Sequence, residues 1–497
     1  MRRTASTTRT AAVCSLGVAA LAAGARIPGA LRDAFWQDEV SSAHVLIQAT
    51  PWGMLHQIAR AEAMPPLWYG LGWVAHELGL SPAGYRAVSV PAGALLAAAT
   101  MLLAARVLAL WAAAVAGILA AFGWQLVMHG RELRAYELFA LLAVGFAWVL
   151  LRETASPAPV GWRRHGLAIV VACGALTSYF FLLGVVAALL WLWTADELRS
   201  SRTRISRQLA IGLVPLAVWS PVLIHQYLGQ RFSWIGPFSA RGLIDAYWLL
   251  FAQHAPGGAV TKVLVPLLVL GGVIAGCALL ARASTEGRLF ALLALAPVAL
   301  TALAWIAGAH VFDARNLIGA APFAAIALAA LPARLPRPAG YGVAVATAAL
   351  MALAVVRAES TPPTPYDGVS RLLVDEGWRP ADPIVLLGSH ADFFAYRSPL
   401  EWYLPRQPTL TLGERDAGRS CPAIYVLAHS PRVRALVLAT GIVAVTAEAG
   451  PVFVGRLSTN RLRSAGIWRH GHILAAPTEP ACVHLIPEAQ LIAKLGR

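Results

Sequence analysis

The sequence has little charge for its length. Charged residues make up 13% of its 497 positions, whereas hydrophobic residues make up 58%. This charged share is about half of that in a typical soluble domain, and apolar runs near the length needed to cross a bilayer recur along most of the chain. The composition excludes an ordinary soluble domain and predicts an integral membrane protein surrounded by a lipid bilayer.

Lysine is almost absent. Lys262 and Lys494 are the only lysines, so arginine supplies nearly all of the positive charge of this chain, whose formal net charge is +15. The arginines fall mostly between apolar runs, a distribution that suits anionic lipid headgroups and sets membrane topology. Because an arginine bias of this kind can reflect codon usage, we do not interpret the basic composition as nucleic-acid binding.

Cysteine is scarce, and its positions follow no metal-binding pattern. The five cysteines are scattered, without the paired spacing of a structural zinc site. The polar C-terminal part contains no phosphate-binding loop and no dinucleotide fingerprint. Cys421 and Cys482 lie in that part, and they could form a disulfide bond if it faces an oxidising compartment.

Eleven apolar segments are predicted to span the membrane. In order they cover residues 11–31, 86–107, 111–128, 135–151, 166–193 (two short spans), 209–228, 263–280, 289–307, 317–331 and 340–356. Residues 166–193 are too long for one ordinary span, and a polar break at Thr177-Ser178-Tyr179 divides them. The first segment resembles a signal peptide, but the later spans and the lack of a convincing cleavage site favour a membrane anchor.

The distribution of arginine fixes the predicted orientation. With residues 65–80 left on the membrane surface as a juxtamembrane helix, the arginine-rich segment 199–207 falls on the cytoplasmic side with the other basic loops. Counting residues 65–80 as a further span would place that segment outside, against the positive-inside rule. The sequence therefore predicts a multi-pass protein of the cytoplasmic membrane whose first loop, residues 32–85, is extracytoplasmic.

Two carboxylates beside an aromatic pair open this first external loop. The stretch consists of Phe35, Trp36, Gln37, Asp38 and Glu39. Acids at a membrane edge are unfavourable unless they face water, a partner or a substrate, so one interpretation places the pair in the mouth of a membrane enzyme. The alternative is that Asp38 or Glu39 caps a surface helix, which is predicted over residues 40–60.

The character of the chain changes after about residue 358. A proline-rich linker at residues 361–365 precedes a segment in which predicted strands alternate with predicted helices. The strands cover residues 384–387, 423–427 and 452–454, and the helices cover residues 366–377 and 432–439. We therefore predict a transmembrane domain over residues 1–357 and a small extracytoplasmic α/β domain over residues 358–497, which we interpret as an accessory domain.

Four polar groups share the external side in this topology. They are Asp38 with Glu39, the region of Arg86, residues 129–134, and residues 310–315. Arginines bind phosphate bidentately, and a carboxylate can take a proton from a hydroxyl group. The combination suits a lipid-phosphate substrate held in a groove against the membrane.

Several of these residues also have plainer interpretations, as side chains that reach the membrane surface, form surface ion pairs or belong to an aromatic belt. They are Arg86 and Arg131 (span ends), Glu132 and Arg134 (surface ion pair), His129, His254 and His310 (interface), and Tyr179 with segment 231–248 (aromatic belt).

Five short motifs occur in order within residues 10–350. They are Asp38-Glu39, Pro65-Pro66-Leu67-Trp68-Tyr69, Tyr85-Arg86-Ala87-Val88-Ser89, Arg131-Glu132-Leu133-Arg134-Ala135-Tyr136, and Arg315-Asn316-Leu317 before Pro322. Their order and spacing resemble membrane glycosyltransferases of the GT-C fold, especially protein O-mannosyltransferases, the lipid A aminoarabinose transferase and related bacterial transferases. The second and fourth motifs resemble the family's Pro-Pro-Leu-Tyr-Tyr and Gln-Glu-Ala-Arg-Met-Tyr.

This resemblance implies an α-helical polytopic membrane fold and an inverting transfer of sugar from a polyprenyl-phosphate donor outside the cytoplasmic membrane. By the resemblance, Asp38 is the general base that deprotonates the acceptor, Glu39 positions Asp38 or the acceptor, and Glu132 orients the acceptor or the base. Arg86 is the implied phosphate ligand, which stabilises charge as the bond breaks. The full set of implied substrate-binding residues is Arg86, Arg131, Arg134, Tyr136, Arg315, Trp68 and Tyr69.

Two positions depart from the family pattern. Met64 stands before the proline pair where many members have histidine, and Asn316 follows Arg315 where the family has tyrosine. Donor contacts near both positions are expected to differ. Metal dependence varies within this fold, so a divalent metal stays open, but Asp38-Glu39 is not an Asp-X-Asp motif and indicates neither a metal nor another cofactor.

The predicted function is therefore transfer of a mannose-like hexose or a pentose to an envelope glycan, lipid or protein. The alternative is a transporter or flippase for a lipid-linked saccharide. Transporters often show internal repeats and polar breaks near the midplane, whereas this sequence shows no convincing repeat and its acids cluster at the outer face. A non-catalytic envelope assembly protein, with a tail that binds a partner, is a third interpretation.

Overall fold

The chain folds as two compact units, each discontinuous in sequence. The structure, a computed structural model, describes residues 5–155, 165–229, 235–252, 261–359, 365–378 and 398–404 together with seven β-strands. The first unit consists of Met1–Arg32 and Ser42–Ser360, and the second consists of Asp33–Ser41 and Thr361–Arg497. The short segment that contains Asp38 and Glu39 thus belongs to the second unit.

Helices make up the described part of the chain before residue 360. Their bounds are α1 Ala5–Arg32, α2 Gln37–Leu46, α3 Pro51–Ala61, α4 Leu67–Glu77, α5 Pro82–Arg86, α6 Ser89–Ala104, α7 Leu110–Phe122, α8 Trp124–His129, α9 Tyr136–Ala155, α10 Gly166–Ala175, α11 Phe181–Thr194, α12 Arg202–Leu228, α13 Ala240–Ala252, α14 Thr261–Ala283, α15 Thr285–Ile306, α16 Ala321–Ala330 and α17 Arg337–Glu359. Short 3-10 helices cover Asp196–Ser201, Ala314–Ala320 and Pro332–Arg334.

Eight of the helical segments in the described part are long and apolar enough to cross a membrane. They are Arg9–Arg32, Pro82–Ala104, Tyr136–Ala155, Asp196–Leu228, Thr261–Ala283, Thr285–Ile306, Ala314–Arg334 and Pro338–Arg357. Three further apolar helices, α7, α10 and α11, have 13, 10 and 14 residues. At about 1.5 Å per residue these three are shorter than the roughly 30 Å hydrocarbon core. The eleven predicted segments are all helical, and their number as full spans stays a prediction.

Two segments predicted to be continuous are each divided into two helices. The predicted span over residues 111–128 is interrupted between α7 and α8 at Gly123, whose ψ of 125° is incompatible with a helix. The single surface helix predicted over residues 40–60 is also wrong, because α2 ends at Leu46 and α3 starts at Pro51. The Thr50 hydroxyl accepts a hydrogen bond from the Gly53 amide at 3.0 Å, and proline at the first helical position favours a new start there.

The predicted break within residues 166–193 is confirmed between α10 and α11. Tyr179 in this turn donates a hydrogen bond to Gln226 Oε1 at 2.7 Å, and Gln226 Nε2 donates one to the Ile58 carbonyl at 3.1 Å. Trp219 Nε1 donates to the Tyr179 hydroxyl at 2.9 Å. Tyr179 is therefore a buried link between α3, α12 and the turn rather than a member of a lipid-facing belt.

Small residues allow the central helices to pack closely. Nearly every residue of α16 is buried, which places this helix at the centre of the bundle. A Cβ atom on Gly276 of α14 would lie 2.0 Å from the Ala327 carbonyl oxygen of α16. Only glycine fits this approach, which is typical of helix packing in membranes.

The second unit contains a mixed five-stranded sheet. Its strands are β1 Ile384–Gly388, β2 Tyr425–Ala428, β3 Val443–Ala449, β4 Val452–Leu457 and β7 Val483–Pro487, and β5 Trp468–Arg469 pairs separately with β6 His472–Ile473. The strand order is β3-β4-β2-β1-β7. β1 runs parallel to β2 and β7, whereas β4 is antiparallel to β2 and β3. Helix α18, Tyr366–Asp375, packs into the buried core of this unit.

The predictions for the C-terminal part agree with the structure where it is described. The predicted strands at residues 384–387, 423–427 and 452–454 correspond to β1, β2 and β4, and the predicted helix at residues 366–377 corresponds to α18. The helix predicted at residues 432–439, the Cys421–Cys482 pair and His254 lie outside the described residues.

Candidate functional site

A buried polar loop joins α8 to α9. This α8–α9 loop, residues 130–135, carries Arg131, Glu132 and Arg134, which are only 6%, 6% and 7% exposed. Such burial excludes a surface ion pair between Glu132 and Arg134, and it excludes an Arg131 side chain that extends into water. The loop therefore brings the predicted residues inside the first unit, directly before Tyr136 at the start of α9.

Glu132 is paired with His129, the last residue of α8. His129 Nδ1 lies 2.7 Å from Glu132 Oε2, and the Ser89 hydroxyl donates a hydrogen bond to the Glu132 carbonyl at 3.0 Å. Burial alone would raise the pKa of Glu132, but its charge interaction and hydrogen bond with His129, followed by the charges of Arg315 and Arg134, lower the pKa below its ordinary value. The carboxylate is therefore held in its ionised form.

His129 is buried as well, which does not fit an interfacial histidine. Its ring packs against Tyr136 with 4.3 Å between ring centroids. His129 Nε2 is buried and has no hydrogen-bond partner among the described residues. The predicted residues Glu132 and Tyr136 thus both act on His129, one through a hydrogen bond and the other through ring packing.

Arg134 is the centre of a second buried network. Its Nη1 atom donates hydrogen bonds to Ser42 Oγ at 2.9 Å and to Glu62 Oε2 at 3.0 Å. Its Cζ atom lies 5.7 Å from the centroid of the Tyr136 ring, within the range of a cation–π contact. Arg134 therefore connects α2, the segment after α3 and the start of α9.

Tyr69 belongs to the same network. Its hydroxyl is hydrogen-bonded to Glu62 and Ser42. Burial raises the pKa of Tyr69 well above its ordinary value, the Arg134 charge opposes this rise, and the Glu62 carboxylate adds to it. Tyr69 is therefore a neutral hydrogen-bonding group beside a buried ion pair.

Glu62 and Ser42 were not identified from the sequence, although Arg134 and Tyr69 were. Glu62 stands 72 positions before Arg134 in the chain, and no local pattern links them. The available signal was the position of Glu62, an acid just before the Pro65-Pro66 motif at the end of an amphipathic helix.

Aromatic side chains pack against the segment that carries Arg86. The Trp68 ring lies 5.2 Å from Tyr69 and 5.0 Å from Tyr85, and the Tyr85 hydroxyl donates to the Trp68 carbonyl at 2.9 Å. Arg86, the last residue of α5, is buried, so it does not extend along the membrane surface. Trp68 and Tyr69 are buried too, so their visible role is packing, and direct contact with substrate stays a prediction.

Arg131 makes a different set of contacts from Arg134. Its Nη2 atom lies 3.1 Å from Met128 Sδ, and its Cζ atom lies 6.0 Å from the centroid of the Trp124 ring. A Cβ atom on Gly29 of α1 would meet the Arg131 side chain at 2.3 Å. Arg131 therefore packs between α8 and α1, and its predicted contact with substrate stays a prediction.

Arg315 is the most open of the predicted arginines for which the structure gives a side-chain exposure. Its side chain is 24% exposed, and its Nε atom lies 3.1 Å from Asp313 Oδ1. Asp313 also accepts a hydrogen bond from the Arg315 amide at 3.0 Å and so caps the 3-10 helix. Asn316, which departs from the family pattern, donates through Nδ2 to the Val311 carbonyl at 3.0 Å and stabilises the same turn.

The first unit contains an apolar cavity, and the residues directly after Arg315 in the sequence help to line it. It is bounded by α9, α11, α15 and the start of α16, and Asn316 and Leu317 also line it. The aromatic residues that line it are Phe139, Phe146, Phe180, Phe181 and Phe323. Arg315 thus directly precedes, in sequence, two residues that line the cavity, Asn316 and Leu317.

Asp38 and Glu39 lie in the first turn of α2 and belong to the second unit. Glu39 is buried, and its Oε2 atom accepts a hydrogen bond from the Trp36 amide at 3.4 Å. This contact is the capping role that the plainer interpretation allowed. Asp38 is half-buried, and its role as general base stays a prediction.

Among the described residues, no group of three or more His, Cys, Asp or Glu side chains is arranged to hold a metal ion. The clusters present consist of arginines, single carboxylates and one histidine. Chemically, they can bind an anion, hold it away from water and fix the orientation of a carboxylate.

No protein-family model and no curated protein sequence matches this chain. Among solved structures, it is similar to ArnT from Cupriavidus metallidurans bound to undecaprenyl phosphate, with a TM-score of 0.53, 12% sequence identity, and coverage of 91% of this chain and 98% of ArnT. It also matches the Archaeoglobus fulgidus oligosaccharyltransferase in a complex with Zn and sulfate, with a TM-score of 0.48, 12% identity and coverage of 86% and 68%. The likeness to ArnT confirms the predicted GT-C fold.

Proposed function

We propose that this protein is an inverting glycosyltransferase that moves a sugar from a polyprenyl-phosphate donor to a cell-envelope acceptor on the outer face of the cytoplasmic membrane. In this reaction the acceptor oxygen forms a bond to the anomeric carbon, and the bond from that carbon to the phosphate oxygen breaks. The acceptor proton passes to a carboxylate, and polyprenyl phosphate leaves with its negative charge.

The observation that carries this proposal is the succession of Arg315 and the apolar cavity. The partly exposed guanidinium of Arg315 is suited to bind a phosphate. The aromatic cavity that Asn316 and Leu317 help to line is suited to take the isoprenoid units attached to that phosphate. A lipid phosphate likewise joins a charged end to an apolar chain, and the two features lie on consecutive residues, Arg315 and Asn316. The solved ArnT structure contains undecaprenyl phosphate, which makes the same ligand class reasonable here.

The buried groups around Glu132 support the same assignment. Arg134, Arg315 and His129 hold the Glu132 carboxylate ionised, and an ionised carboxylate can orient an acceptor hydroxyl. Fixed charges in a site that excludes water stabilise developing charge more strongly than charges in water do. We assign Glu132 to orientation of the acceptor or base and Arg86 to stabilisation of the leaving phosphate.

Asp38 is the proposed general base. It lies in the first turn of α2, and the resemblance of the Asp38-Glu39 motif to GT-C glycosyltransferases implies this role. A base in this place would remove the acceptor proton as the new bond forms, and Glu39 holds the turn that carries it.

The experiment uses purified full-length protein in lipid with radiolabelled polyprenyl-phosphate sugars and a crude envelope acceptor. Wild type should transfer label. Asp38→Asn should lose transfer by about a hundredfold or more while it still binds polyprenyl phosphate. Arg315→Met should lose that binding, and Arg152→Met, at an exposed position in the last turn of α9, is the control. Binding of lipid-linked sugar without transfer by wild type would favour a transporter and contradict the proposal.

A further inference from the structure

Residues 33–41 are an integral part of the C-terminal unit. Ala34 and Trp36 pack against the buried core of that unit, in contact with residues that follow them by more than three hundred positions. The core residues are Tyr366, Val369, Leu373, Trp378, Ile384, Leu400, Leu404 and Val452. The segment that leads into Asp38 therefore folds together with the C-terminal part of the chain.

Phe35 makes two direct contacts with the helical segment 398–403. Its backbone N–H donates a hydrogen bond to the Tyr403 hydroxyl, with 2.6 Å between nitrogen and oxygen. Its ring centroid lies 6.1 Å from that of Trp402, with the planes inclined by 48°. Phe35 itself is buried. Both the backbone and the side chain of Phe35 are thus fixed by residues near position 400.

Phe35 leads directly into the start of α2. The next residue, Trp36, donates its amide hydrogen to Glu39 Oε2 at 3.4 Å, and its carbonyl accepts a hydrogen bond from the Val40 amide at 3.0 Å. These bonds define the first turn of the helix, which contains Asp38. The position of the backbone at Phe35 and Trp36 therefore sets the position of the Asp38 carboxylate.

We infer that Tyr403 and Trp402 are positioning residues for Asp38, so the C-terminal unit takes part in sugar transfer instead of serving as an accessory domain. The inference rests on the proposed function, in which Asp38 is the base. A displacement of about 1 Å can lower a catalysed rate about a hundredfold even when the change lies far from the reacting atoms. The contacts of Phe35 with Tyr403 and Trp402 prevent a displacement of this kind.

The test variant is full-length Tyr403→Phe, which removes the single hydroxyl that accepts the Phe35 hydrogen bond. The matched control is Tyr227→Phe, which removes the hydroxyl of an exposed tyrosine on α12. Hydrogen–deuterium exchange of peptides that cover residues 33–41 is the first readout. Loss of one hydrogen bond should speed exchange of this segment roughly three- to tenfold, whereas the control should match wild type. Unchanged exchange in Tyr403→Phe would show that Tyr403 does not hold residues 33–41 in place, and it would overturn the inference.

Transfer kinetics in the radiolabel assay are the second readout. Tyr403→Phe should lower kcat by about tenfold, with KM for the donor and binding of polyprenyl phosphate unchanged. Trp402→Phe, which keeps an aromatic ring beside Phe35, should show a smaller loss in the same direction. A merely structural role would lower donor binding and the amount of folded protein together with kcat, and that result would overturn the inference, as would a wild-type kcat in Tyr403→Phe.

The two proposals fail in different ways. If wild type transfers no sugar from any donor, the proposed function fails, and the positioning role of Tyr403 and Trp402 in catalysis fails with it. The exchange measurement does not depend on activity, and it still reports whether Tyr403 holds residues 33–41. If wild type transfers sugar and only the Tyr403→Phe predictions fail, the proposed function stands and the positioning role is excluded.

Discussion

Arg26 Nη2 lies 3.0 Å from Glu137 Oε1, which is 111 positions later in the chain. The two side chains are 0% and 1% exposed. Arg26 Nη1 also donates to the Ala121 carbonyl at 2.8 Å, and a Cβ atom on Gly93 would lie 2.3 Å from Arg26 Nε. The pair ties α1 to α7 and to the first turn of α9, immediately after the α8–α9 loop.

We predict that breaking this pair strongly destabilises the protein. Arg26→Met leaves the Glu137 carboxylate buried without its partner, which typically costs about 3–5 kcal/mol. Thermal unfolding in detergent should show a large fall in Tm. Arg106→Met is the control, because the Arg106–Glu286 pair is about one-third exposed and such pairs contribute roughly 0–1 kcal/mol. Equal shifts for both variants would contradict this prediction.

We predict a second large effect at Glu62. Glu62→Gln keeps the shape of the side chain but removes the charge opposite Arg134 Nη1, so both stability and transfer should fall, stability by about 1–3 kcal/mol. Glu77→Gln, on an exposed position of the neighbouring α4, should behave as wild type. Unfolding and radiolabel transfer measured on the same preparations test this. A fully active and stable Glu62→Gln protein would show that Arg134 is held by other contacts.

Stability should depend on pH through Glu132. Its pKa is lowered in the folded state, so the stabilising contribution is fully present above the unfolded-state value of about 4.3 and is lost as the pH falls through the folded-state pKa. We expect the Tm difference between wild type and Glu132→Gln to be largest near neutral pH and to shrink below about pH 4. A difference that grows on acidification would mean that the folded-state pKa is raised instead.

Helix packing gives a prediction that is independent of function. Gly276→Ala would place a Cβ atom 2.0 Å from the Ala327 carbonyl oxygen, whereas Gly271→Ala on the same helix meets no atom within 4 Å. Gly276→Ala should therefore lower Tm, because α14 and α16 must separate. Gly271→Ala should leave Tm unchanged or raise it, since alanine favours a helix by roughly 0.5–1 kcal/mol over glycine. Similar behaviour of the two variants would argue against this close approach.

The sequence was informative wherever a local pattern decided the structure. Apolar runs located the helices of the first unit, and the polar residues at 177–179 located the break between α10 and α11. Alternation of short strands and helices located β1, β2, β4 and α18. The motifs around Arg86, Arg134 and Arg315 identified the GT-C fold by resemblance, which the likeness to ArnT confirms.

Breaks inside apolar or amphipathic stretches were harder to predict. The start of α3 depends on the Thr50 cap and Pro51, both of which are visible in the sequence but lie within a continuous helical pattern. The interruption at Gly123 has no stronger local signal than a single glycine. In both cases hydrophobic periodicity favours one long helix, and a single capping residue or glycine is a weak signal against it.

The sequence by itself determined the membrane class of this protein, the order of its helices and the types of residue in the loops between them, because these depend on composition and on neighbours within a few positions. Only the tertiary structure decided which distant residues meet. It paired Arg134 with Glu62 and Arg26 with Glu137, and it placed Phe35 against Tyr403. A buried charge or amide must find a partner wherever the folded chain supplies one, and separation along the chain carries no information about where that is.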